Sequence, residues 1–250
     1  MRKNKRIRKN SLEKNSLLKF SPEILAIIED KEKLLDAIMI ILNHVFMNSK
    51  LIYQTSIWSR SQVVLITLTF FTSWCYSDPD VFYLFFESKN AKEIIKKLLI
   101  DDVDQMVRKE SSTVFSRVFL SLNPELCCKF LPKFLKVLLS FLEEASLVNI
   151  PRISNRFCSD DKETFCPGNR DYFILVCRLI DHLYSQKPNS KDDIDAENLP
   201  IQVANLIFNR ENFELNKNQS EDEGLKGLFL LLTVILKNNS LIKNRQESKE

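Results

Sequence analysis

Apolar residues recur along this chain at the three- and four-residue spacing of helices that bury one face. Leu34, Leu35, Ile38, Ile41, Leu42 and Val45 form one such stripe, and Phe134, Leu135, Leu138, Phe141, Leu142 and Ala145 form another. Shorter stripes run through Ile24, Ile27 and Ile28, through Ile94, Ile95, Leu98 and Leu99, and through Val203, Leu206 and Ile207. Val103, Met106, Val107, Val114, Val118 and Leu122 predict a long helix, and Phe173, Cys177, Ile180 and Tyr184 predict another.

Polar punctuation sits where helices should begin. Ser21-Pro22 and Asn123-Pro124 place a capping side chain before proline at the first helical position. Ser59 with Gln62, Asn90 with Glu93 and Ser220 with Glu223 have the spacing of capping boxes, and Asn169 is a further N-cap. The helix opened by Ser59 should run to about Tyr76. Its β-branched residues Val63, Val64, Ile66, Thr67 and Thr69 would also suit a strand, but both neighbours are helical, so helix is preferred. Asp78-Pro79 restarts a short segment with Val81, Leu84 and Phe85, and Pro132 should kink or restart the helix around it.

Roughly ten helices joined by short breaks fit pairs stacked side by side, although no regular period can be counted. The expected fold class is all-α, an irregular armadillo/HEAT-like helical solenoid, with a compact helical bundle as the alternative. The expected division is a basic flexible tail over 1–20, a helical-repeat region over 21–239 with loops near 149–168, 187–197 and 212–219, and a polar tail over 240–250. The last helix, Leu225 to Leu236, is apolar on nearly all sides. Such a helix must be wrapped by earlier helices or covered by further repeats in a longer protein.

Composition narrows the picture. The glycines are Gly168, Gly224 and Gly227, too few for the turns of strand-rich folds or for phosphate-binding loops. A net charge of +3 does not by itself draw nucleic acid. Much of the excess lies in Arg2, Lys3, Lys5, Arg6, Arg8 and Lys9, a run that reads as a solvated tail ahead of a nuclear address or phosphate-binding arm. No apolar stretch follows it to make a secretory signal. The longest apolar run, Val63 to Trp74, falls short of the ~20 residues of a membrane span. Six cysteines without a signal peptide imply free thiols in a reducing compartment, cytoplasmic or nuclear. The sequons at Asn218 and Asn238 are then empty.

Chemistry-bearing constellations are sparse. The histidines are His44 and His182, both inside predicted helices. Cys158, Cys166, Cys177 and His182 form C-x7-C-x10-C-x4-H, which lacks the tight knuckles of zinc sites. Cys127 and Cys128, adjacent on a helix, point about 100° apart. Asp101, Asp102 and Asp104 could gather a cation but serve a helix dipole more simply. The 18 phenylalanines lie at helical spacing beside leucine and isoleucine, as core residues do. No phosphate loop, nucleophile elbow or nucleotide fingerprint appears. No catalytic, cofactor-binding or metal-ligating residue is therefore assigned, and no cofactor.

Three segments carry a family resemblance. Ala91 to Leu122, AKEIIKKLLIDDVDQMVRKESSTVFSRVFLSL, resembles an armadillo- or HEAT-type helix pair, with Asp104, Val107 and Arg108 matching the acidic turn and VR that open the second helix. Asn169 to Leu183, NRDYFILVCRLIDHL, and Glu221 to Asn239, EDEGLKGLFLLLTVILKNN, resemble helical arms of giant ubiquitin carboxyl-terminal hydrolases of the fat-facets (FAF-X) type. That family cleaves ubiquitin with a cysteine protease domain. Cys75-Tyr76 repeats only the end of its cysteine box, without the glycines and asparagine, and no histidine box follows. The resemblance therefore implies a non-catalytic arm that scaffolds the protease or recruits substrates. The alternative is an unrelated armadillo/HEAT-like interaction scaffold. Either way the expected partners are other proteins, ubiquitinated substrates among them, rather than membranes or nucleic acid.

Overall fold

The periodicity translates directly into helices. In the computed structural model, residues 30–47, 57–101, 104–147, 149–151, 165–167, 169–186, 198–213 and 222–247 are described. The helices are α1 (Lys31–Met47), α2 (Ile57–Ser77), α3 (Asp80–Glu87), α4 (Ala91–Lys96), α5 (Gln105–Ser121), α6 (Pro124–Leu139), α7 (Leu142–Leu147), α8 (Arg170–Gln186), α9 (Leu199–Phe213) and α10 (Glu223–Glu247). A π turn, Lys97–Asp101, extends α4. The described residues are all-α apart from a short antiparallel ribbon, β1 (Asn149–Pro151) with β2 (Phe165–Pro167), in register Ile150 to Cys166. That ribbon lies where a plain loop was expected. No helix among the described residues is long and apolar enough to cross a membrane.

Several local expectations meet corrections. Ser59 lies inside α2, which begins at Ile57, rather than ahead of its first turn. The threonines that made α2 ambiguous are accommodated as helical residues. Thr67, Thr69 and Thr72 each donate to the carbonyl four residues back, at 2.8, 2.8 and 2.6 Å. Asn90 occupies the N-cap position of α4 without a side-chain cap bond, and Glu93 pairs instead with Lys97 at 2.7 Å. Pro132 does not break α6, which runs unbroken from Pro124 to Leu139. Phe130, Leu131, Phe134, Leu135 and Leu138 are buried on either side of it and hold the helix across the missing bond. The cap of α10 is Asp222, whose carboxylate accepts from Leu225 N at 2.8 Å. That helix continues to Glu247, so most of the polar sequence after Asn239 is helical. The Ser21-Pro22 helix, the tail over 1–20 and Ser220 lie outside the described residues.

Pairwise contacts arrange the helices in two layers that follow chain order. In one layer α2 packs on α5, α5 on α8, and α8 on α10. Their starts lie along one edge. Near the start of α2, Ser61 Oγ donates to Asp104, the cap of α5. Leu99, in the π turn just before α5, accepts from Asn169, the cap of α8. Arg170 and Glu223 approach to 3.9 Å at the first residues of α8 and α10. These helices are therefore parallel.

In the other layer Lys31 opens α1 and pairs with Asp78 ahead of α3. Along α3 and α6, Tyr83 meets Phe130 (centroids 5.2 Å) and Glu87 meets Lys133 (3.4 Å), so these run parallel too. Between the layers direction reverses. The hydroxyl of Tyr172, in the first turn of α8, donates to the Leu138 carbonyl in the last turn of α6.

The core between the layers is aromatic. Phe134 of α6 meets Phe82 at 6.0 Å, Phe115 at 5.3 Å and Phe119 at 4.8 Å, and Phe82 meets Phe119 edge-on at 4.9 Å. Such pairs add about 0.5–1.5 kcal/mol each beyond the area they bury. Helix α8 is deeply enclosed, with Tyr172, Phe173, Leu175, Val176, Cys177, Leu179, Ile180, Leu183 and Tyr184 all buried. On α10 Leu228, Leu231 and Ile235 are buried, while Phe229, Leu230 and Leu236 stand 46%, 43% and 53% exposed. The apolar excess expected of that helix is thus only partly covered by the described residues.

Asn169 joins three elements. Its side-chain oxygen accepts from Tyr172 N at 3.1 Å, its amide nitrogen donates to Leu99 O, and its backbone N donates to Ala145 O at 3.0 Å. It is 1% exposed. Asn123 caps α6 in the same manner (Leu126 N, 2.8 Å) but in solvent. Asn169→Ala should therefore cost about 2–4 kcal/mol, because it strands a buried carbonyl as well as losing a cap, against about 1 kcal/mol for Asn123→Ala. Urea denaturation of the two variants, followed by circular dichroism, measures the difference. At Gly227 an added methyl group would lie 2.2 Å from Phe173 Cδ2, and Phe173 is fully buried. Gly227→Ala should destabilise by about 1–3 kcal/mol despite alanine's better helix propensity, and the same titration reads it.

Candidate functional site

Helix packing decides the chemical character of the thiols. Cys75 falls on the inward face of α2 beside Trp74 and is 2% exposed. Burial pushes its thiol well above the usual value, and the Asp78 carboxylate raises it further. A nucleophilic cysteine needs the reverse, a neighbouring cation or base that favours thiolate. Tyr76 is also held in the protonated form by burial, partly offset by its bond to Ser121 and by the charge of Arg117. The Cys75-Tyr76 pair is thus a packed piece of helix.

The zinc-like spacing fares no better as chemistry. Cys177 is buried on α8, its thiol pushed up to about 12 by desolvation first and by Asp181 next. His182 follows five residues later, about 140° around the helix. Its Nε2 is buried without a hydrogen-bond partner, and burial lowers its pKa, so it stays neutral in the fold. Cys158 lies outside the described residues, as does the side chain of Cys166. Among the described residues no group of three His, Cys, Asp or Glu side chains could hold a metal ion.

The remaining candidates serve structure. Asp104 is the N-cap of α5, accepting from Met106 N at 2.8 Å and from Ser61 Oγ. Asp101 ends the π turn, and Asp102 lies outside the described residues. Cys127 is buried on α6 and pushed up to about 11 by desolvation, with Cys128 half-buried beside it. Val107 and Arg108 follow the Asp104 cap in the first turn of α5, and both are buried. Asn238 is buried and donates to Asp181 at 2.7 Å and to Val234 O at 2.9 Å, so its sequon is occupied by packing. The side chain of His44 and the basic run of Arg2 to Lys9 lie outside the described residues.

Sequence reasoning passed over one exposed feature. Lys129, Lys133 and Lys136 stand on the outer face of α6, and their i, i+4, i+7 spacing was legible as a basic stripe.

What the chain is similar to is found in stretches of very long proteins. It is 26% identical over 195 residues to ubiquitin carboxyl-terminal hydrolase 34 of Mus musculus and of Homo sapiens, 77% of this chain in each case. It is 25% identical over 194 residues to ubiquitin carboxyl-terminal hydrolase puf of Drosophila melanogaster. The chain is homologous to a region of large ubiquitin carboxyl-terminal hydrolases. It spans 5% of the length of each of these relatives. No family model and no solved structure matches it.

The burial of Cys75 has a direct readout. In native buffer Cys75 should escape alkylation by iodoacetamide that labels it fully in urea, and an electrophilic ubiquitin probe should form no adduct with the chain. Peptide mass spectrometry scores both outcomes. Probe attached to Cys75 would mean that the helix opens to a reactive thiolate.

Proposed function

We propose that this chain is a non-catalytic helical-repeat region of a large ubiquitin-specific protease, acting as a scaffold or as an arm that recruits substrates and partners. The observation that carries the reading is the homology itself. It covers most of this chain and only 5% of each relative, as expected of one segment in a long array. The buried, protonated Cys75 supports a role outside the chemistry. Proteins that meet ubiquitinated substrates are the natural partners, in the cytoplasm or nucleus.

The architecture supports the same reading. Parallel helices stacked in chain order within each layer, with reversal between layers, fit an irregular armadillo/HEAT-like solenoid. The Asp104 cap followed by buried Val107 and Arg108 fits the opening of a second repeat helix. The partly bare apolar face of α10 is suited to a further helix pair. The narrower kinship, to the fat-facets type among the giant enzymes, rests on the resemblance of Asn169 to Leu183 and of Glu221 to Asn239.

Two measurements test this. The transcript should encode further helical repeats and a protease domain with intact cysteine and histidine boxes. Deleting residues 30–247 from that parent should leave hydrolysis of a fluorogenic ubiquitin substrate within about twofold, while reducing the set of proteins the parent captures. A transcript encoding these residues without a protease domain sinks the deubiquitinase reading.

A further inference from the structure

We propose that the outer face of α6, together with the end of α3 and the start of α4, is a docking surface for an acidic segment of a partner protein. The inference does not depend on the arm reading. It begins from how lysine charge is disposed over the molecule. Among the described residues several lysines elsewhere are neutralised at close range. Lys33 meets Asp30 at 2.8 Å, Lys96 meets Glu144 at 2.5 Å, Lys97 meets Glu93 at 2.7 Å, Lys226 meets Glu223 at 2.8 Å, and Lys31 pairs with Asp78. Among the described residues Lys109 on α5 and Lys237 on α10 stand apart from other lysines and from carboxylates.

The α6 face is different. Lys129, Lys133 and Lys136 project from it in one row, all exposed. Among the described residues neither Lys129 nor Lys136 has a carboxylate in reach, and Lys133 has a loose contact at 3.4 Å with Glu87, both side chains about half exposed. Helix α3 packs parallel on α6 through Tyr83 with Phe130 and Glu87 with Lys133, and the exposed Lys89 and Lys92 follow it in the chain. Lys92 Nζ lies 5.5 Å from the ring of Phe141, two residues past the end of α6. Against these five lysines stand Glu125, one turn ahead of Lys129, Glu87 at the end of α3 and Glu93 in the first turn of α4, which leaves the surface net positive.

The row is held as well as charged. Lys129 Nζ sits 5.7 Å from the Tyr83 ring and 5.2 Å from the Phe130 ring, so two aromatic faces fix the ammonium group. Tyr83 is partly exposed beside it and offers a flat contact. Cations spaced along about two helical turns with an aromatic platform at one end suit an extended chain bearing several carboxylates. Long-range attraction should speed its arrival and make its binding sensitive to salt.

The test uses the intact 250-residue chain and a fluorescein-labelled peptide of glutamate, aspartate and serine, read by anisotropy. Binding should weaken at least about tenfold when salt is raised from about 50 to about 300 mM. It should weaken by a similar factor in the Lys129→Glu, Lys133→Glu, Lys136→Glu variant, which circular dichroism should show to be folded. The neutral Lys→Gln triple variant guards against a folding defect and should lie between the two. Reversal of Lys109 and Lys237 should leave binding unchanged. Equal binding by the α6 variants, or loss through Lys109 and Lys237 instead, overturns the proposal. So does tighter binding of a single- or double-stranded oligonucleotide than of the peptide through the same lysines.

Discussion

One buried asparagine determines whether the layers of this molecule can meet. Helix α8 lies between α5 and α6 on one side and α10 on the other, and its first turn is enclosed. The amide hydrogens there cannot turn to water, nor can the carbonyls left open where the π turn ends. Asn169 satisfies both with one side chain, since an amide accepts at one atom and donates at the other. Aspartate would cap the helix but present an acceptor to the Leu99 carbonyl. Alanine would leave both unpaired. Around this point the ribbon, α7 and α4 converge, so an error there would displace every later helix.

The second constraint is steric. Gly227 lets α10 lie against the Phe173 ring, so the spacing between these two helices is set by the absence of a side chain. Glycine in a helix interior ordinarily weakens it. Here close packing on a fully buried aromatic outweighs that penalty, and the resulting contact carries Leu228, Leu231 and Ile235 into the core.

How much of this was legible in the sequence depends on the range of the interaction. Helix existence was readable from periodicity because burying one face imposes 3.6-residue spacing regardless of partner. The caps at Asn123 and Asn169 were readable because a cap acts within three residues. Ser59 misled because its spacing was right while the helix had already begun, and Pro132 misled because tertiary burial of its neighbours outweighed one missing bond. The second half of Asn169's role was invisible, since Leu99 is far away in sequence and its carbonyl is offered only after the π turn forms. For the candidate chemistry, the missing histidine box already argued against catalysis at Cys75. The burial that keeps its proton on could be seen only in the folded chain. The lysine row on α6 was legible as a pattern, whereas its isolation from carboxylates is a property of neighbours brought in by α3 and α4.

The common direction of α2, α5, α8 and α10 has an electrical consequence. Each helix carries a partial positive charge at its start, and stacking them in parallel gathers those charges along one edge of the molecule, where they repel sideways. Antiparallel bundles cancel this repulsion between neighbours; within this layer the neighbours do not, and an opposite pole reaches the start of α8 from the last turn of α6 in the other layer. The residues found at that edge are Asp104, Asn169 and Asp222, with Asp171 and Glu223 in the following turns, so the like poles of α5, α8 and α10 are screened by acidic and amide groups. Neutralising that edge by substitution would strain the whole stack rather than a single helix. Any helix added in the same orientation would need an anionic or amide cap of its own.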